Sequence, residues 1–231
     1  MIETKLSQPR LDLVEPLGEV AIPRLYAYHR VLRQALAAGK ETITSHGMAA
    51  LLGHTIASTQ IRKDLSALRP LGRRGQGYAI APLAEQLALV LGLDHDWRIA
   101  IVGFGYLGHA FATFITARES RFRIAAIFDS SPAVIGQEWQ GTAVHDASNL
   151  EEIVRERDCN IGVIAVPAEA AQSSAQRLAD AGVRAIMNFA PTPLHVRAPV
   201  IVRNIDLAGE MSILTHRLSI DAISAATEET A

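Results

Sequence analysis

The sequence predicts an α/β fold in two parts: an N-terminal helix-turn-helix domain with a basic wing, then a domain built on a parallel sheet. Three observations carry that prediction. Residues 44–78, TSHGMAALLGHTIASTQIRKDLSALRPLGRRGQGY, read as two short helices followed by a glycine-rich basic loop. Residues 98–108, RIAIVGFGYLG, read as an apolar strand entering a glycine turn. From Trp97 onward, apolar runs alternate with helical periodicity, the texture of strands joined by crossover helices.

Residues 1–18 are polar and broken by Pro9, Pro16 and Gly18, so an arm is expected there. A winged-helix domain is expected over 19–92, a sheet domain over 97–206 and a final helix with its tail over 207–231. Leu25, Tyr28, Leu32 and Leu36 recur at helical steps from near Ile22, and Gly39 stands where a left-handed cap ends a helix. Thr44 or Ser45 can cap a short second helix carrying Met48, Leu51 and Leu52, which Gly53 stops. Thr55 is placed to cap a third helix running to about Ala67 and burying Ile56, Ile61 and Leu65. The loop GRRGQGYAI follows as the wing. Pro82 then suits the first turn of a fourth helix through Leu83, Leu87, Val90 and Leu91, closed by Gly92. Beyond it, strands are expected at 98–102, 123–128, 161–166, 184–188 and 200–204. Helices are expected at 107–117, 149–157, 168–181 and 208–225.

Whole-chain quantities narrow the class. With 49% hydrophobic and 20% charged residues in 231, the composition is that of an ordinary globular protein. The net charge of −2 excludes a uniformly basic nucleic-acid coat but not a local basic surface. Up to Asp96 there are 11 Lys+Arg against 9 Asp+Glu, and afterwards 11 against 15. Within the first part, residues 61–78 hold Arg62, Lys63, Arg69, Arg73 and Arg74 against Asp64 alone. Cys159 is the single cysteine, so no intrachain disulfide forms and a reducing cytoplasm is expected. The opening stretch MIETKLSQPRLDLVEP has no apolar core of a secretory signal, and no apolar run reaches the ~18 residues of a membrane span.

Gly103-Phe104-Gly105-Tyr106-Leu107-Gly108 has GxGxxG spacing in the context that gives it meaning, after IAIV and before a helical pattern. Gly103 permits the tight turn, Gly105 lets backbone approach a pyrophosphate, and Gly108 allows close packing of helix on strand. The helix N-terminus then offers free N–H groups to phosphate. Asp129 ends the next apolar strand, 21 residues after Gly108, where a carboxylate accepts ribose hydroxyls and repels a 2′-phosphate. These residues indicate a Rossmann-type site for NAD(H) rather than NADP(H). Without that context the motif would be only a tight turn.

On the third helix, Ser58, Thr59, Gln60, Arg62 and Lys63 are the candidates for an exposed DNA-reading face opposite Ile61 and Leu65. In the wing, Arg73, Arg74 and Gly75 place basic side chains on pliable backbone that suits a minor groove. A solvated basic helix and loop would explain the charges but not the capped helix pair before them. The eight histidines show no metal-helix spacing, so no metal is expected. There is no GxSxG nucleophile elbow, and Cys159 reads as a small core residue. About a hundred residues remain after Asp129, enough for the sheet but not for the separate substrate domain of many dehydrogenases, so no enzyme is expected.

Taken together the motifs resemble the Rex family of NADH-responsive transcriptional repressors. The blocks that carry the resemblance are IPRLYAYHRVL (22–32), STQIRKDLS (58–66), GRRGQGY (72–78), IVGFGYLG (101–108), FDSSPAVIG (128–136), VPAEAAQ (166–172), NFAP (188–191) and NIDLAGEM (204–211). The resemblance implies a homodimer whose last helix is exchanged between subunits, a palindromic DNA operator, and release of that DNA by NADH. Because NADH lacks the positive ring charge of NAD+, an apolar nicotinamide pocket that favours it is expected, built from Phe114 and Pro167 with Leu207, which comes from the partner if the last helix is exchanged. Arg24 in the first helix and Asp206 before the last one are the candidates for a charge pair that forms in one state of the switch; the simpler alternative is that Arg24 caps a carbonyl and Asp206 caps the last helix. Three positions depart from the family's usual pattern. Leu68-Arg69-Pro70 stands where a glycine is usual, Phe114 where a tyrosine is common, and Tyr106 where arginine is frequent. Two other classes stay open on residues alone: a small NAD-dependent oxidoreductase, and a nucleotide- or coenzyme A-binding module with a helical appendage.

Overall fold

The computed structural model describes residues 17–68, 72–73, 77–118, 120–197 and 199–228; for 72, 73 and 221–228 it describes backbone alone. Arg74, Gly75 and the expected arm up to residue 16 lie outside the described residues, as does the side chain of Arg73. The chain divides into two units, Met1–His95 and Asp96–Ala231.

In the first unit, α1 (Ile22–Ala37) buries Leu25, Tyr28, Val31, Leu32 and Ala35 along one side. Gly39 ends it at φ +75°, and the next N–H, of Lys40, returns to the Ala35 carbonyl at 3.0 Å. The strand β1 (Thr42–Ile43) leads into α2 (Ser45–Leu51), whose Thr44 hydroxyl accepts the Gly47 N–H at 3.0 Å. Gly53 and His54, both at positive φ, then turn the chain into α3 (Ser58–Ser66). The third helix begins two residues later than Thr55 would have it. Thr55 donates its hydroxyl backward to the Leu52 carbonyl at 2.8 Å, closing the end of α2, and Ala57 takes the N-cap position instead. Short strands β2 (Gly72–Arg73) and β3 (Gly77–Ala79) form the wing, with β3 central between β1 and β2. A Cβ at Gly77 would lie 2.5 Å from the Ile43 carbonyl oxygen, so only glycine lets β3 pass β1 there. Finally α4 (Ile80–Val90) lays Ile80, Leu83, Ala84 and Leu87 into the same core as α1 and α3.

The second unit runs through β4 (Trp97–Val102), α5 (Tyr106–Arg118), β5 (Phe122–Asp129), β6 (Glu138–Trp139) and β7 (Thr142–Asp146). It continues with α6 (Leu150–Glu156), β8 (Ile161–Ile164), α7 (Ala168–Asp180), β9 (Ala185–Asn188), β10 (Ile201–Asn204) and α8 (Leu207–Glu228). The seven strands lie in the order β10-β9-β8-β4-β5-β7-β6, parallel throughout except the β6–β7 pair. Period-two alternation splits the core into two layers. Ala100 and Val102 of β4 face the layer containing Leu150, Ala171 and Leu178, whereas Ile99 and Ile101 face the layer containing Ala112 and Phe111. Between 129 and 161 the sequence predicts no strand, yet two are present. The pair β6–β7 turns through Gln140 and Gly141, both at positive φ, and β7 extends the parallel sheet at its edge. Along α8 the apolar residues Leu207, Met211, Leu214 and Leu218 are exposed at helical spacing. Among the described residues, no helix is long and apolar enough to cross a membrane.

Candidate functional site

Parallel sheets of this order bind ligands where successive connections leave in opposite directions, here between β4 and β8. The glycine turn sits at that point. Gly103 takes φ +91°, and a Cβ on it would lie 2.5 Å from the Ala165 carbonyl oxygen at the end of β8. A Cβ on Gly108 would overlap the Gly103 carbonyl oxygen, so α5 approaches the strand end as closely as backbone allows. Gly105 differs from both: it is exposed, and nothing lies within 4 Å of where its Cβ would be. The turn is therefore shaped by two glycines that the fold requires and one that it does not. The spare glycine leaves the open backbone that a pyrophosphate needs.

Asp129 holds this turn in place. Its Oδ2 accepts the Phe104 N–H at 2.7 Å and its Oδ1 the Ser131 N–H at 2.8 Å. A carboxylate has about four acceptor positions, so two remain for ribose hydroxyls. The Phe104 ring packs edge-on to Trp139 at 6.3 Å and near His109 at 5.4 Å, which ties the turn to the β6–β7 hairpin. Trp139 and Ser131 were not singled out from sequence; the FDSSPAVIG block and the Gln140-Gly141 turn were the signals available.

The other expected cofactor residues present themselves to solvent. Tyr106 is fully exposed at the start of α5, Leu107 is 38% exposed, and Phe114 is 56% exposed with the Arg118 guanidinium 4.5 Å above its ring. Pro167 precedes α7, and Leu207 opens α8 at 57% exposure. Asp206 caps α8 by accepting the Gly209 N–H at 2.9 Å.

In the first unit, Thr59, Arg62 and Lys63 form the exposed face of α3, with Ser58 half-buried at its start. Arg62 donates to the Ser45 hydroxyl at 3.2 Å, and Ser58 Oγ lies 3.4 Å from His46 Nε2. The start of α2 thus braces this face, a role for Ser45 and His46 that the sequence reading missed. Gln60 departs from its expected place, because its amide turns inward and donates to Asp64 Oδ1 at 2.7 Å. Arg24 is likewise held within this unit. Its Nε and Nη2 clasp Asp64 at 2.7 and 2.8 Å, and its Nη1 donates to the Val20 carbonyl at 3.1 Å. Tyr28 adds its hydroxyl to Asp64 Oδ2 at 2.8 Å. Burial alone would raise the Asp64 carboxyl, but the hydrogen bonds from Arg24, Tyr28 and Gln60 outweigh it and hold the group below its ordinary value.

Two other groups could suggest chemistry and do not. Burial pushes the Cys159 thiol up to about 11, which keeps it protonated and inert. Among the described residues, no group of three or more His, Cys, Asp or Glu side chains is placed to hold a metal ion.

Comparison with known proteins agrees with both halves of this picture. Residues 17–66 match the family model described as "Putative DNA-binding protein N-terminus", and residues 94–192 match the one described as "CoA binding domain". The redox-sensing transcriptional repressor Rex 1 of Thermotoga maritima is 40% identical over 207 residues, covering 89% of this chain and 98% of that protein. A crystal structure of RSP in complex with beta-NAD+ and operator DNA is 32% identical, with a TM-score of 0.81 over 94% of this chain and 100% of that one. A structure of RSP in complex with beta-NADH is 31% identical, with a TM-score of 0.77 over 92% and 99%. RSP is itself described as a Rex-family repressor. At this identity and coverage the chain belongs to the Rex family of redox-sensing transcriptional repressors.

Proposed function

We propose that this chain is a DNA-binding repressor that reads the cellular balance of NADH and NAD+. It occupies a palindromic operator when NADH is low and leaves it when NADH binds. The observation that carries this reading is a 40% identity to a Rex repressor across nearly its whole length, with the dinucleotide turn and the helix-turn-helix both intact. RSP has been solved with beta-NAD+ and operator DNA and, separately, with beta-NADH, and it resembles this chain throughout. The protein is a regulator and not an enzyme.

The residues present fit a dinucleotide. Gly103 to Gly108, with open backbone at Gly105, would hold the pyrophosphate, and Asp129 would accept the ribose hydroxyls. The two redox forms differ by the positive charge on the nicotinamide ring. Phe114 and Pro167, with Leu207 of a second copy, make a surface on which the neutral form is the cheaper to bury. Thr59, Arg62 and Lys63, with Ser58, read DNA, and Arg73, Arg74 and Gly75 of the wing reach the groove beside it; Gln60 supports this face from behind.

A second copy of the chain covers α8, whose apolar Leu207, Met211, Leu214 and Leu218 are exposed among the described residues. In that homodimer, with α8 exchanged, two reading heads match a two-fold operator. The working divisions are 19–92 for DNA, 97–206 for dinucleotide and 207–231 for dimerisation, and the site of action is the cytoplasm. The Arg24–Asp206 switch pair requires both residues to change partners, Arg24 leaving Asp64 and Asp206 leaving the Gly209 N–H. Single Arg24→Ala and Asp206→Ala variants and their double test it. Strictly additive effects on the NADH response of DNA release would remove the pair from the switch.

The function itself is tested by selecting a palindromic duplex from random sequence with the wild-type chain and adding NADH. Selective binding relieved by NADH is expected. Steady NADH turnover on simple carbonyl compounds, without selective DNA binding, would assign the chain to the oxidoreductases instead.

A further inference from the structure

The contact between α1 and α3 is centred on one saturated charge. Asp64 is 6% exposed, and its carboxylate accepts four hydrogen bonds: Arg24 Nε and Tyr28 hydroxyl on Oδ2, Arg24 Nη2 and Gln60 amide on Oδ1. That fills the acceptor positions a carboxylate has. Tyr28 is itself completely buried, so the cluster is anchored in the core and not on the surface. The neighbours of Asp64 on the inner side of α3 are Ile61 and Leu65, with Leu68 just past its end, all buried and apolar. Apolar contacts hold the helix against the core but are not directional, so they fix its distance better than its rotation. A bidentate guanidinium fork and a phenol hydroxyl are directional and fix the rotation.

We infer that Asp64 is a positioning residue for DNA reading: by engaging Arg24 and Tyr28 of α1, it sets the rotation of α3 about its axis, and with it the aim of Thr59, Arg62 and Lys63. The inference rests on the function proposed above. Side chains of a helix reach about 5–6 Å from its axis, so a rotation of about 10° moves a side-chain tip by about 1 Å. Useful hydrogen-bond distances span only about 0.5 Å, so such a rotation is enough to spoil contact with a base edge. Attraction to phosphate is long-ranged and insensitive to it. The network therefore governs discrimination among DNA sequences and leaves charge-driven affinity alone. Stability is a weaker reason for the network, since buried ion pairs contribute little net stability compared with apolar replacements. Gln60 completes the arrangement from within α3, one turn before Asp64, which explains why its amide faces inward. On the opposite side, the Arg62–Ser45 and Ser58–His46 contacts brace the same helix against α2, so α3 is held from two directions.

The test compares full-length wild type with Tyr28→Phe and Asp64→Asn. Fluorescence anisotropy is measured on a duplex selected by the wild type and on a scrambled duplex of the same length and composition. Losing the aim of a base contact predicts that each variant loses roughly tenfold or more of the ratio between the two affinities. Binding to the scrambled duplex at low salt should change less than about twofold. Wild-type helical circular dichroism and a cooperative melting transition serve as the folding controls. Tyr28→Phe removes one hydroxyl from a filled core position, so it decides the matter even if Asp64→Asn fails to fold. Variants that discriminate as well as the wild type, or that lose both duplexes by the same factor, would overturn the inference. A wild type that selects no duplex would instead defeat the function on which it rests.

Discussion

Gly103 and Gly105 lie two residues apart in the same turn, yet the structure gives them opposite jobs, and alanine at each should separate fold from ligand. At Gly103 the backbone sits at φ +91° and a Cβ would be 2.5 Å from the Ala165 carbonyl oxygen. A side chain in that conformation costs about 1–3 kcal/mol before any overlap is counted, and the overlap is with backbone, which cannot swing away. A total of about 3 kcal/mol is a conservative figure, and at roughly 2–4 °C per kcal/mol it lowers Tm by about 6–12 °C. At Gly105 no atom lies within 4 Å of the new Cβ and the backbone is outside the left-handed region, so Gly105→Ala should melt within about 2 °C of wild type. Its effect appears only with ligand, because the methyl occupies the space through which backbone approaches a pyrophosphate. Calorimetric titration should then show NADH affinity reduced by about tenfold or more. The reasoning is refuted if Gly105→Ala binds NADH like wild type, or if the two variants lower Tm equally.

Other outcomes follow from the same geometry. Arg62→Ala should cost about 1–3 kcal/mol at a selected operator and relax preference at one base position, whereas Lys63→Ala should weaken all sequences alike; a gel shift unchanged by both removes α3 from the interface. Asp129, fixed by the Phe104 and Ser131 N–H groups, predicts clear preference for NADH over NADPH in titration, and equal affinities contradict its role. Asp64 is held below its ordinary carboxyl value, so its stabilisation is complete above about pH 4 and is lost as pH falls through the lower folded value. Acid melting should therefore be less steep in Asp64→Asn, and an unchanged profile refutes the assignment.

The parts of the fold legible in the sequence are those fixed by short-range rules. Gly103, Gly108 and the IAIV run before them constrain each other over a few residues, so the dinucleotide turn could be read with its helix and strand. The strand β7, second from the end of the sheet, could not, because Thr142, His145 and Asp146 interrupt the apolar pattern that the other parallel strands show. Thr55 misled for a different reason: a hydroxyl beside a helix start can serve the preceding helix equally well, and here it does. The Asp64 network was partly legible. Ile61, Asp64, Leu65 and Leu68 have the spacing of one buried helical face, so a carboxylate among them demanded a buried cation. The sequence reading gave Arg24 to Asp206 and faced Gln60 toward DNA, because no local rule joins residues that lie 40 positions apart, as Arg24 and Asp64 do.

The central claim is that one ligand equilibrium controls another, and a single titration tests it directly. A duplex selected by the wild-type chain is held at fixed concentration with the protein while NADH replaces NAD+ at constant total dinucleotide. A ligand shifts a two-state equilibrium only through differential affinity, so the ratio, and not the total, should govern binding. The predicted result is a progressive loss of bound DNA as the NADH fraction rises, with no consumption of NADH. Bound DNA that stays constant across the whole range of ratios would contradict the account.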